Sequence, residues 1–208
     1  MAITLPDDFP YATVDASWGQ WWRNHNLAGA WWFASSDDPN VKAEDVGRLD
    51  LPRPHGTCYM AWQATTTALE AMRLEGLTPA EVQAAAAQRH MSAMDLEPWY
   101  GKLIADFTSD RLLALGVPLL REISRAEARP WAEASHAAGF DGILYALHRD
   151  PEHRPGLALF GRAGAMEKPA PQGAGQPLVV RYIREAMALV NRDDVPSRSN
   201  FGGDPLAE

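Results

Sequence analysis

Residues 47–70 read GRLDLPRPHGTCYMAWQATTTALE. The middle of this stretch, GTCYMAWQ at 56–63, lacks the polar alternation of a half-solvated strand. Its Thr, Tyr and Trp suit an extended chain, so the run predicts a strand buried on both faces. A helix is expected to follow directly, from about Thr67 to Leu74, with Gly76 as its stop. A buried strand feeding straight into a helix selects an α/β or α+β fold. The edge between the two is also where binding and catalytic groups tend to collect.

On the N-terminal side, residues 37–55 hold three prolines and many acids and are expected to be mostly loop. GAWWFASS at 29–36 predicts a further strand. SWGQWWRNH places Trp18, Trp21 and Trp22 at helical spacing, which predicts a short helix packed on the core. On the C-terminal side, TPAEVQAAAAQRHM opens with Thr78, Pro79 and Glu81, the pattern of a capped helix start. KLIADF predicts a strand and DRLLALG a short helix ending at Gly116. SRAEARPWAEASHAAG is expected to be helical in its second part, with Gly139 as its stop. DGILYAL and GLALFGR then predict two strands joined by the turn HRDPEHRP, a β-hairpin or a near neighbour of one. Residues 163–177 are rich in Pro and Gly and predict a loop. PLVVRYIREAMALV predicts a last strand running into a helix, and the polar chain beyond Asn191 a loose tail. The expected organisation is an aromatic, helical extension at 1–28, one domain at 29–190 and a C-terminal tail at 191–208. The elements alternate irregularly, which excludes a doubly wound sheet.

The 208 residues are 46% apolar and 22% charged, enough for a sizeable core. The formal net charge of −8 and the lack of a basic stripe argue against nucleic acid as partner. No apolar run reaches the length of a membrane span, so no membrane association is expected. The opening MAITLPDDFPYATVD carries neither the basic nor the apolar region of a secretory signal. Cys58 is the one cysteine, which suits a reducing compartment, and a cytoplasmic location is expected.

Metal chemistry finds no support, because no Cys, His and Asp cluster has ligand spacing. HRDP at 148–151 matches a fragment of a kinase catalytic loop without the rest of that set and is set aside. GRAGAM has the wrong glycine spacing for a phosphate loop. Three residues of the opening stretch remain. Glu70 closes Thr67-x-x-Glu70, a capping-box pattern, and it also stands where strand and helix meet. Arg48 is either paired with the flanking acids Asp45 and Asp50 or is an anion clamp, since a guanidinium matches phosphate oxygens with two parallel bonds. Tyr59 is either core or a platform for a ligand ring. His55 before Gly56 is a turn residue on spacing alone.

Taken together, VGRLDLPRPHGTCYMAWQATTTALE and WAEASHAAGFDGILYALHRDPEHRPGLALFGRAG resemble the RES domain, named for its Arg, Glu and Ser. A Gly-Arg element precedes a strand, a helix start ending in Glu follows, and later an Asp-Gly-Ile strand pairs with an apolar strand ending in Leu-Phe. The resemblance spans roughly 29–162. It implies a single-domain, ADP-ribosyltransferase-like α/β (α+β) fold with short, partly antiparallel sheets and surrounding helices. It implies an enzyme that breaks the nicotinamide–ribose bond of NAD, with phosphate or water as acceptor. Transfer to a protein or nucleotide is the alternative activity. Toxin–antitoxin systems are the implied setting, with an antitoxin protein as partner and a homo-oligomer left open.

Position by position, the family's Arg falls on Arg48, its strand Tyr on Tyr59 and its Glu on Glu70. The implied catalytic pair is Arg48 and Glu70. The implied cofactor-binding set is Arg48, Tyr59, Ser36 and His55, with NAD as substrate and no metal. Two positions depart from the pattern. Leu49 replaces an aromatic residue, and the family's Ser falls near Leu147, where no hydroxyl is available. Ser35 and Ser36 are the nearest alternatives in the WWFASS strand. An inactive domain that binds NAD or a partner is the reading this loss leaves open.

Overall fold

The computed structural model describes residues 3–25, 30–72, 78–87, 89–166 and 176–177. In chain order the elements are β1 (Tyr11–Thr13), β2 (Trp21–His25), β3 (Trp32–Phe33), β4 (His55–Ala61), α1 (Ala64–Met72), α2 (Pro79–Ala86) and β5 (His90–Met94). They continue with β6 (Leu103–Asp106), α3 (Arg111–Ala114), α4 (Arg125–Ala137), β7 (Gly142–Ala146), β8 (Pro155–Arg162), β9 (Gly164–Ala165) and β10 (Gln176–Pro177).

Eight strands form one sheet in the order β1-β6-β7-β8-β4-β2-β5-β10, and β3 pairs with β9 in a small second sheet. The pairings in the large sheet are antiparallel except for β6 with β7. The protein therefore has a mixed α/β fold with short, mostly antiparallel strands, as its sequence predicts.

β4 is central, and the two-residue period of a strand explains its double burial. Cys58 and Met60 point into a cluster with Trp18, Trp21, Trp31, Leu157 and Leu159. Tyr59 points to the opposite face, where Leu49, Ile143, Ala158 and Phe160 pack with Ala128 and Ala132 of α4. On that same face, Trp22 pairs with Ala61 and packs with Ala68 and Leu69 of α1. Helices α1 and α4 thus cover neighbouring parts of one face, and β4 and β7 run beneath.

The predicted hairpin is observed as β7–β8, from Gly142↔Leu159 to Ala146↔Pro155. The capping pattern at Thr78 is also observed: its N–H donates to Glu81 Oε2 at 2.8 Å, and the Glu81 N–H donates to Thr78 Oγ1 at 3.4 Å. α4 is helical from Arg125, not only in its second part, because a Ser124–Glu127 capping box sets its start ahead of Pro130.

Three expectations are corrected. The Trp18–Trp22 segment is not a helix: a 3-10 turn at Ala16–Trp18 ends at Gly19, whose φ is +61°, and β2 follows. Trp21 and Trp22 then point to opposite faces of the sheet and pack in different clusters, which a strand allows for adjacent residues. α1 begins at Ala64, three residues before the expected cap. Thr67 lies inside it, its hydroxyl donating to the Gln63 carbonyl at 2.9 Å, so Thr67 and Glu70 form no capping box. Within 163–177, Gly164–Ala165 and Gln176–Pro177 are strands. Gly76, the strand and helix expected after residue 177, and the tail from 191 lie outside the described residues. No helix among the described residues is long and apolar enough to cross a membrane.

Candidate functional site

The loop before β4 is tied to the face of the sheet by side chains of β4 itself. The Tyr59 hydroxyl donates to Asp50 Oδ1 at 2.8 Å and accepts the Leu49 N–H at 2.8 Å. Asp50 Oδ2 accepts the Gly47 N–H at 2.6 Å, and the Thr57 hydroxyl donates to the Leu49 carbonyl at 2.8 Å. Gly47 is required by this closeness, since a Cβ there would lie 2.5 Å from both Asp50 Oδ1 and the Tyr59 hydroxyl. Asp50 is 2% exposed. Burial pushes its carboxyl above the usual range, against the pull of the Tyr59 and Gly47 hydrogen bonds.

Arg48 sits between these anchors. Its Nη1 donates to the carbonyls of Leu120 and, at 2.9 Å, Ile123. Burial pulls the guanidinium below its ordinary pKa, and Glu70, Tyr145 and Tyr59 oppose this. Glu70 comes from α1. Its Oε1 accepts the Arg149 N–H at 2.5 Å, and Arg149 Nη1 donates to the Glu70 carbonyl at 2.7 Å. Burial raises the Glu70 pKa, whereas the Arg149 N–H, the Arg149 charge and His148 lower it. Tyr145 of β7 is half-buried, and its phenol is pushed up by burial and by Glu70.

Arg48, Tyr59 and Glu70 therefore share one face of the sheet, with Glu70 and Arg48 in each other's field. The Tyr59 hydroxyl is spent on the loop, so its polar end acts as an anchor. Ser36 and His55 have other partners. The Ser36 N–H donates to the Leu51 carbonyl at 2.9 Å. His55 lies four residues from Tyr59 along β4, about 13 Å at strand rise. Its ring meets His136 of α4, with centroids 4.3 Å apart. A hollow of about 290 Å³ lies near that end of the strand, lined by Phe33, Trp99, Phe160, Arg162 and Met166 among others.

Leu147, near which the resemblance places the family's Ser, is 2% exposed. A Cβ on Gly156 would meet Leu147 Cδ2 at 2.5 Å, so the leucine fills its space. Sequence reasoning missed Asp50, Tyr145 and Arg149. Asp50 was visible only as a neighbour of Arg48, Tyr145 as one residue of an apolar strand, and Arg149 inside the discarded HRDP. Among the described residues, no group of three His, Cys, Asp or Glu side chains could hold a metal ion.

No curated protein matches the chain. Among solved structures, one similar chain belongs to the "Crystal structure of the M.tuberculosis MbcT-MbcA toxin-antitoxin complex", with a TM-score of 0.47 and 13% identity, covering 81% of this chain and 88% of that chain. The family model described as RES domain matches residues 20–180. That match takes in β2, β4, α1, the β7–β8 hairpin and every residue of the Arg48–Glu70 group, and the chain belongs to the RES domain family.

Proposed function

We propose that the protein consumes NAD by cleaving its nicotinamide–ribose bond, with phosphate or water as acceptor. The observation that carries this reading is the Glu70 carboxylate, half-buried, in the field of Arg48 and gripped from the β7–β8 turn. Cleavage of an N-glycosidic bond develops positive charge on the ribose. A carboxylate held in a low-dielectric setting stabilises that charge more than water does. Nicotinamide leaves neutral, so no strong general acid is needed. Arg48 contributes the cationic side of the site and would hold a phosphate group, of the dinucleotide or of the acceptor. The Tyr59 ring would border the nicotinamide end while its hydroxyl holds the loop. A toxin role with an antitoxin partner comes from the family resemblance, a cytoplasmic location from the single cysteine, and both belong to the same proposal.

The test is nicotinamide release from NAD by the purified full chain, with and without inorganic phosphate, in wild type, Arg48→Ala and Glu70→Gln. Release that requires phosphate supports phosphorolysis; release without it supports hydrolysis. Tagged NAD that labels a macromolecule would support transfer instead.

A second reading, a catalytically inactive domain that binds NAD or a partner, is favoured by Leu147. Leu147 is buried, and the resemblance places the family's Ser near it. NAD that binds and stays intact, with binding unchanged in Glu70→Gln, is the outcome expected of it.

A further inference from the structure

Glu70 is held by the main chain of another element, not by a mobile side chain alone. The Arg149 N–H donates to Glu70 Oε1 at 2.5 Å while Arg149 Nη1 donates to the Glu70 carbonyl at 2.7 Å. A main-chain N–H points where its turn points, and this turn is locked. Asp150 is fully buried, its Oδ2 accepting from Arg154 Nε at 2.6 Å and its Oδ1 from Arg154 Nη2 at 3.0 Å. Arg154 Nη1 also donates to Gln63 Oε1 at 2.6 Å, next to the start of α1. The turn is therefore fastened to α1 at two points, about two helical turns apart. Among the described residues, Glu70 Oε2 carries no hydrogen bond.

We propose that Arg149 is the positioning residue of this site: it fixes Glu70 Oε1 and the α1 main chain, so that Oε2 is the oxygen presented to substrate. The inference rests on the reading of Glu70 as the acting carboxylate. Arg149 has two separable effects. Its contacts set the direction of the carboxylate, and its charge favours the ionised form. The other charged or titratable groups facing Glu70 are His148 and Asp150 from the same turn, Tyr145 from β7 and Arg48 from the loop.

The experiment follows nicotinamide release against pH in the full chain, with folding checked by near-ultraviolet circular dichroism. Arg149→Gln removes the charge and the side-chain bond to the Glu70 carbonyl, and keeps the main-chain N–H on Oε1. It is expected to lower kcat about tenfold with KM nearly unchanged, through a shift of the α1 main chain that carries the carboxylate. It is also expected to move the acidic limb of the pH profile up by about one unit, because a cation near the carboxylate is lost. Arg149→Lys keeps the charge and is expected to lower kcat while leaving the limb in place. A glutamine variant with a wild-type limb overturns the proposal, whether or not kcat falls. If that variant does not fold, the lysine variant decides alone, and a wild-type kcat in it overturns the proposal. Wild-type turnover in Glu70→Gln would overturn the underlying reading of Glu70 instead, and the proposal with it.

Discussion

The Tyr59 hydroxyl lies 2.8 Å from Asp50 Oδ1, and this bond joins the central strand to the loop that carries Arg48. It converts a ring on one face of β4 into an anchor for a residue that the chain places eleven positions earlier. Tyr59→Phe keeps the ring and removes the anchor, leaving Asp50 buried with one partner fewer. The expected cost is about 1–3 kcal/mol of stability, read from urea denaturation. Arg48 loses its registration with the Leu120 and Ile123 carbonyls in the same variant, so turnover of NAD should fall as well.

Asp50 also sets a pH dependence. Its folded-state pKa is raised by burial, so the folded protein binds its proton more readily than the unfolded chain does. For a raised carboxyl, the stabilising contribution is fully present below the unfolded pKa and is lost as pH rises through the folded one. Asp50→Asn does not titrate. The stability of wild type relative to Asp50→Asn is therefore expected to grow as pH falls from 7 toward 4, measured by denaturant midpoints across that range. A difference that shrinks on acidification would contradict the burial argument.

Arg154 tests the lock on the β7–β8 turn. Its ion pair with Asp150 is sequestered, with side-chain exposures of 16% and 0%. Arg154→Met keeps most of the apolar stem and strands a buried carboxylate. The expected loss is about 3–5 kcal/mol in equilibrium unfolding, the range for breaking one partner of a buried pair. A loss under about 1 kcal/mol, typical of surface pairs, would mean that water reaches Asp150.

Glu70→Gln preserves shape and removes charge. Nicotinamide release is expected to fall about a hundredfold or more, with little change in thermal stability, since preorganised charge at a reacting centre contributes on that scale. The two readouts separate a chemical role from a packing role. A variant that melts early and keeps its rate per folded molecule would assign Glu70 to packing.

Local pattern was enough for much of the fold. The apolar run around Tyr59 specified a strand buried on both sides. Thr78 and Glu81 specified a helix start, and two apolar runs around HRDPEHRP specified a hairpin. In each case neighbouring residues carry the whole signal. Trp18, Trp21 and Trp22 show its limit: their spacing fits a helix, and only the presence of a core on each side of the sheet makes the strand the better burial. The same limit explains the misread Thr67, whose hydroxyl is turned back onto Gln63 inside a helix that starts earlier.

The site divides in the same way. Arg48, Tyr59 and Glu70 stand within one quoted stretch, so a family pattern could mark them together. Asp50 stood there too, but its partnership with the Tyr59 hydroxyl depends on how the loop folds back over β4. Arg149 reaches Glu70 across 79 residues of chain. Nothing in the spacing of either residue announces that contact. It exists because the β7–β8 hairpin pairs beside β4 and brings its turn against α1. Local composition can determine which segments are strands and helices; sheet order and register decide which distant side chains meet, because that free energy is gained only when both faces are buried at once.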